Sequence, residues 1–145
     1  MKRVLLLMTL LAAAGCGSSD STSPSTLPPT SVGVFTITEL TIGTGVTAVN
    51  GSRVVTSYAG WLYDTAKPFG KGNQFDSGSG GPLTFTIGAA NLITGFQQGV
   101  VGMKVGGSRR VIIPPELAYG SSTPDPTKIP PNATLVFEIT LTSAQ

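Results

Sequence analysis

Residues 91–103 read NLITGFQQGVVGM, and this stretch decides the fold. Leu92, Ile93, Phe96 and Val100 follow one another at offsets of one, four and eight, which lays them along one apolar face of a short helix over 91–100. It breaks a chain that otherwise reads as strands. Over 34–40, Val34, Thr36, Thr38 and Leu40 alternate with Phe35, Ile37 and Glu39. Residues 53–63 (RVVTSYAGWLY) are rich in β-branched and aromatic side chains, 83–87 and 108–113 alternate again, and 134–142 (TLVFEITLT) form a last strand. Gly and Pro punctuate the joins. Many antiparallel strands with one helix covering a face predict an α+β domain over 34–145.

Upstream of that domain the composition changes. Lys2 and Arg3 precede an apolar run over 4–14, and the small residues Ala13, Ala14 and Gly15 precede Cys16. That order predicts a secretory signal over 1–15, too short to span a bilayer as a stable helix. A lone cysteine after a small-residue cut resembles the lipobox of bacterial lipoproteins, which implies lipidation at Cys16, although Ala13 stands where the pattern prefers Leu. Plain secretion is the alternative. Residues 16–33 are rich in Ser, Thr and Pro and read as a flexible tether. Gly17, in place of the Asp that often retains lipoproteins at the inner membrane, points to an outer-membrane or periplasmic location.

Charge and composition exclude several classes. The chain carries nine Lys+Arg and seven Asp+Glu, and two of the nine, Lys2 and Arg3, leave with the signal, so the mature chain is neutral. A neutral chain without clustered Lys and Arg offers no nucleic-acid footprint. With no histidine and a single cysteine, it has no Ser-His-Asp or Cys-His catalysis, no His-ligated metal and no internal disulfide. No cofactor is expected, and the domain reads as a monomer. Gly43-Thr44-Gly45-Val46-Thr47-Ala48 matches a dinucleotide fingerprint, but Asn50-Gly51 and another strand follow where a helix is required, so it reads as a turn.

The remaining signal lies in five ordered segments: YAGWL at 58–62, FDS at 75–77, LITGF at 92–96, PPELAYG at 114–120 and IPPNATLVF at 129–137. Together they resemble the FKBP-type peptidyl-prolyl isomerases over essentially the whole domain. The resemblance implies a twisted antiparallel sheet wrapped around one short helix. It also implies a proline pocket, with Asp76, Tyr119 and Phe96 in the catalytic positions. Tyr58, Phe75, Phe85, Leu92, Ile93, Ile129 and Phe137 would bind substrate. In the family the backbone N–H at Ile129 and the hydroxyl at Tyr119 contact substrate carbonyls.

The implied reaction is rotation about an X-Pro bond in proline-containing polypeptides of exported proteins. It breaks no bond and needs no histidine, metal or nucleophile. A binding or chaperone-like module with little turnover is the second reading, and a purely structural envelope lipoprotein the third. Three departures from the family pattern stand out. Phe96 replaces a Trp at the pocket floor, which implies reduced affinity for macrolide inhibitors. Leu83 replaces a rim aromatic. Residues 78–81 (GSGG) replace a segment that often carries an Arg paired with the Asp. Residues 64–74 read as a polar surface insertion, and the Pro-rich loop 121–128 (SSTPDPTK) is particular to this chain.

Overall fold

A computed structural model describes residues 33–145. The expected signal, Cys16 and all of the tether but Gly33 lie outside the described residues. The elements are β1 (Thr36–Thr41), β2 (Arg53–Tyr63), β3 (Lys71–Asp76), β4 (Leu83–Thr86), α1 (Thr94–Val100), β5 (Ser108–Ile113) and β6 (Leu135–Ala144). The strands form one antiparallel sheet in the order β1-β5-β6-β2-β3, with β4 also paired to β2. The expected α+β arrangement of a sheet with one short helix is observed.

The long strand β2 organises the sheet. One edge pairs with β6 from Val54 to Leu62. The other edge is shared: Arg53–Thr56 pair with β4, and Gly60–Tyr63 pair with β3. Tyr58 sits between these two pairings, where the chain leaves the sheet through residues 77–82. That gap in the second edge becomes the mouth of a pocket.

The core lies between the sheet and α1. Alternate residues of β6 (Leu135, Phe137, Ile139, Leu141) join Val54, Val111 and Ile113 beneath Phe96 and Val100 of the helix. Each such side chain contributes about 1.5–3 kcal/mol by leaving water. Two glycines set how close the helix comes. Gly95 and Gly99 fall on the same face, and a methyl group on them would meet Ile113 and Val111 respectively.

Four local expectations are corrected. The helix begins at Thr94 rather than residue 91, since Ile93 is extended (φ −56°, ψ 138°). Residues 71–74 are not a surface insertion but the start of β3, an edge strand whose polar composition hid it. The alternating segment at 36–41 is a strand, yet all six of its residues are exposed, because β1 is the other sheet edge and none of the described residues forms a layer over it. No helix follows the 43–48 segment, which removes the dinucleotide fingerprint, but the segment is not a turn: it runs alongside residues 102–105, with a bridge between Thr47 and Lys104.

Candidate active site

A cavity of about 110 Å³ opens on the helix side of the sheet, lined by Tyr58, Phe75, Asp76, Leu83, Asn91, Leu92, Ile93, Phe96, Tyr119 and Phe137. Its floor is aromatic. Phe96 packs edge-on against Phe137 (5.3 Å between centroids, 88°) and Tyr58 (5.6 Å, 82°). Phe75 packs edge-on against Phe137 (5.6 Å, 83°). Such pairs contribute about 0.5–1.5 kcal/mol each beyond burial, and they fix ring planes. Gly60 permits the arrangement: a Cβ there would lie 2.6 Å from Phe75 and 2.9 Å from Phe137.

Asp76 is held without an arginine. The Tyr58 hydroxyl donates to its Oδ2 at 2.7 Å, and the Gly78 N–H donates to its Oδ1 at 2.8 Å. Gly78 is required there, with φ +65° and the Tyr58 carbonyl in the space a Cβ would need. The Gly-rich segment therefore orients Asp76 through the Gly78 N–H. Burial, and then the hydrogen bond to Asp76, push the Tyr58 pKa up to about 12. Burial, followed by the nearby Asp76 charge, also raises that of Tyr119. Both hydroxyls stay protonated at neutral pH and can donate.

Tyr119 differs from Tyr58 in having no protein acceptor for its hydroxyl among the described residues. The backbone N–H of Ile93 likewise donates to no protein group among the described residues. Both belong to residues that line the cavity, so a ligand carbonyl entering it would find two unused donors.

Of the sequence-predicted positions, Asp76, Tyr119, Phe96, Tyr58, Phe75, Leu92, Ile93 and Phe137 converge on the cavity. Two do not line it. Phe85 is buried beneath the floor, its ring 5.9 Å from that of Phe96. Ile129 is also buried, and its N–H is committed to the Asp125 carbonyl at 2.9 Å. The expected contact between that N–H and substrate is therefore not available in this arrangement.

Two residues escaped the sequence reading. Asn91 lines the cavity, although it was read as the first residue of the helix. Gln97 accepts from the Gly88 N–H (2.8 Å) and donates to the Ala90 (3.2 Å) and Leu92 (3.0 Å) carbonyls, pinning the segment that carries Leu92 and Ile93. A glutamine pointing back from the first turns of a helix toward an extended approach segment is the signal that could have found it. No cluster of His, Cys, Asp and Glu suited to a metal ion occurs among the described residues.

Comparison with known proteins agrees with this geometry. The family model described as FKBP-type peptidyl-prolyl cis-trans isomerase matches residues 45–142. FK506-binding protein 4 of Dictyostelium discoideum is 44% identical over 105 residues, covering 72% of this chain and 27% of that protein. The chain thus spans about a quarter of that relative's length. The FK506-binding protein of Neisseria meningitidis serogroup A is 39% identical over 112 residues, covering 76% of this chain and 95% of that one. The crystal structure of AtFKBP13 superimposes with a TM-score of 0.63 at 33% identity, over 77% of this chain and 93% of that one.

Proposed function

The chain belongs to the FKBP-type peptidyl-prolyl cis-trans isomerase family, and from that premise we propose that it accelerates X-Pro rotation in exported polypeptides, without covalent chemistry, inside the aromatic pocket. The observation that carries the reading is a small, aromatic-floored cavity containing unused hydrogen-bond donors and an oriented carboxylate.

The chemistry follows from the amide. Rotation about C–N is opposed by about 18–20 kcal/mol, because resonance gives that bond partial double-bond character. Resonance also places negative charge on the carbonyl oxygen, and water stabilises that charge. A twisted amide has less of it. A dry pocket therefore favours the twisted state relative to the planar one, which is the differential binding that catalysis requires. Phe96 supports the proline ring, with Phe75, Phe137 and Tyr58 as walls. The Tyr119 hydroxyl and the Ile93 N–H hold flanking carbonyls. The groups Asp76 holds are the Tyr58 hydroxyl and the Gly78 N–H, and on that ground we assign it to ordering the Tyr58 wall and the start of the 77–82 segment.

A proline-limited peptide isomerisation assay on the domain tests this, with Asp76→Ala and Phe96→Ala as controls. The expected result is turnover well above background that both controls reduce. A wild-type rate equal to background would leave a proline-binding module and overturn the enzyme reading. If shape and desolvation supply most of the acceleration, Tyr119→Phe keeps its rate within about tenfold, equivalent to roughly 1.4 kcal/mol. A loss of about a thousandfold would instead make the hydroxyl central. The Phe96 floor, smaller than Trp, supports weakened macrolide binding.

We also propose that Cys16 carries a lipid that anchors the domain to the cell envelope. The support is the order of residues 2–16 and the long polar tether behind them. Cys16→Ser should move the protein from the membrane fraction to the soluble periplasmic fraction. Unchanged partitioning of that variant would remove the anchor.

A further inference from the structure

The proline pocket does not end at Phe75. On the far side of that residue lies a second depression, an open groove of about 420 Å³. Phe75 lines both spaces, so the two meet at that residue. One bank of the groove is β3, with Asn73 and Gln74; the other is Thr127, Lys128 and Pro130 from the loop ahead of the last strand.

We propose that this groove is an extended subsite for the substrate polypeptide, and that Lys128 makes it prefer an acidic residue a short distance along the chain from the isomerised proline. The inference rests on the isomerase reading of the neighbouring pocket. Three observations carry it. First, the chain on either side of a proline ring seated in the cavity of about 110 Å³ must run out over the surface, and the groove shares the residue Phe75 with that cavity. Second, the β3 bank is a sheet edge. Among the described residues β3 pairs only with β2, and Asn73 falls where the register breaks between the Gln74 and Lys71 pairs. A free strand edge offers backbone groups to an extended peptide, as in strand-addition modes of recognition. Third, the opposite bank is a built turn. The Asp125 carbonyl accepts from the Lys128 and Ile129 N–H groups at 3.1 and 2.9 Å. The Asp125 carboxylate accepts from both the N–H and the hydroxyl of Thr127. That turn presents Lys128 with 64% of its side chain exposed and a loose 3.7 Å pairing to Asp125.

The same turn explains why the Ile129 N–H is absent from the pocket. The loop's hydrogen bonds are spent on holding the groove's bank, and its recognition work passes to the Lys128 side chain.

The test compares a short proline tetrapeptide with longer peptides that carry Asp, Ala or Lys in the extension, added at one terminus or the other. Each is assayed with wild type, Lys128→Ala and Lys128→Glu. The short substrate should be isomerised equally by all three proteins. For the Asp-bearing peptide extended at one terminus, Lys128→Glu should raise KM about two- to fivefold at low salt, the range of an exposed ion pair, with kcat unchanged. The Lys-bearing peptide should regain the advantage with Lys128→Glu, and the effect should fade in high salt. Equal KM for all extensions, or a change in the short substrate as large as in the long ones, overturns the subsite. Absence of wild-type turnover on the tetrapeptide is a different result: it removes the isomerase reading, and the subsite with it.

Discussion

At the scale of single residues, the site depends on which donors are occupied and which are not. Tyr58 and Tyr119 both face Asp76, but only Tyr58 spends its hydroxyl on it. That pairing has a consequence at high pH. The Tyr58 pKa is about 12 in the folded protein, raised first by burial and then by the hydrogen bond to Asp76, whereas an unfolded tyrosine titrates near 10. The folded state therefore holds its proton more tightly. The stabilisation is fully present below pH ~10 and is lost as pH climbs toward ~12. Thermal melts from pH 8 to 11.5 should show a falling Tm, and Tyr58→Phe should flatten that fall. An equally steep fall in the variant would place the alkaline sensitivity elsewhere. At this scale the sequence revealed the aromatic set, because its residues stand in ordered segments. It could not reveal that Gly78 is a partner of Asp76, since that depends on one backbone N–H in a left-handed turn. Nor could it show that the Ile129 N–H turns back onto its own loop.

At the scale of elements, α1 is only seven residues long and has no side-chain cap at its start, so it owes its existence to packing. Gly95 is the tightest point, with Ile113 occupying the space a Cβ would enter. Alanine is the better helix former by about 1 kcal/mol. Overpacking against a fully buried isoleucine costs about 1–3 kcal/mol and outweighs that gain. Gly95→Ala should therefore lower stability in a denaturant melt, and by shifting Phe96 it should lower isomerisation as well. A more stable variant would show that propensity wins and that the helix stands off the sheet. The strand β5 was legible from its period of two, and β2 and β6 from their β-branched and aromatic side chains, which the core buries. The strand β3 was not. As a sheet edge it buries little, so its sequence, KGNQFD, is polar and reads as a loop until Phe75. The start of α1 was misplaced because Leu92 and Ile93 continue the helical spacing while lying in an extended approach. Their apolar character serves the pocket rather than the helix, and Gln97 holds them there.

At the scale of the whole molecule, the two strands that carry the walls of the pocket are braced from behind by charge. Glu138 on β6 accepts from Arg110 of β5 (2.8 and 3.0 Å) and pairs with Lys71 of β3 at 3.1 Å. Lys71 lies over the Trp61 ring and the Arg110 guanidinium over Phe69, so the cations are also held by aromatic faces. Glu138 is next in sequence to Phe137 and Lys71 opens the strand that ends in Phe75 and Asp76, so the brace spans the sheet under the site. Burial raises the carboxyl pKa of Glu138, but the hydrogen bonds and charges of Arg110 and Lys71 outweigh it, and the net shift is downward. A depressed carboxylate contributes stability above its unfolded value, and that contribution disappears as pH falls through the folded one. Acid below about pH 4 should therefore loosen the sheet beneath the pocket. Glu138→Gln removes the charge and leaves Arg110 and Lys71, with 15% and 25% of their side chains exposed, facing each other. The site lies between an exposed pair, worth about 0.2–1 kcal/mol, and a buried one, where removing a partner costs about 3–5 kcal/mol; a loss of about 1–2 kcal/mol is expected. Chemical denaturation of the variant should show that loss at pH 7, and the difference from wild type should narrow as the pH is lowered into the acid range. A difference that does not narrow at all down to the acid unfolding of the wild type would mean that the side chain acts through packing rather than charge, and that the brace behind the pocket is not electrostatic.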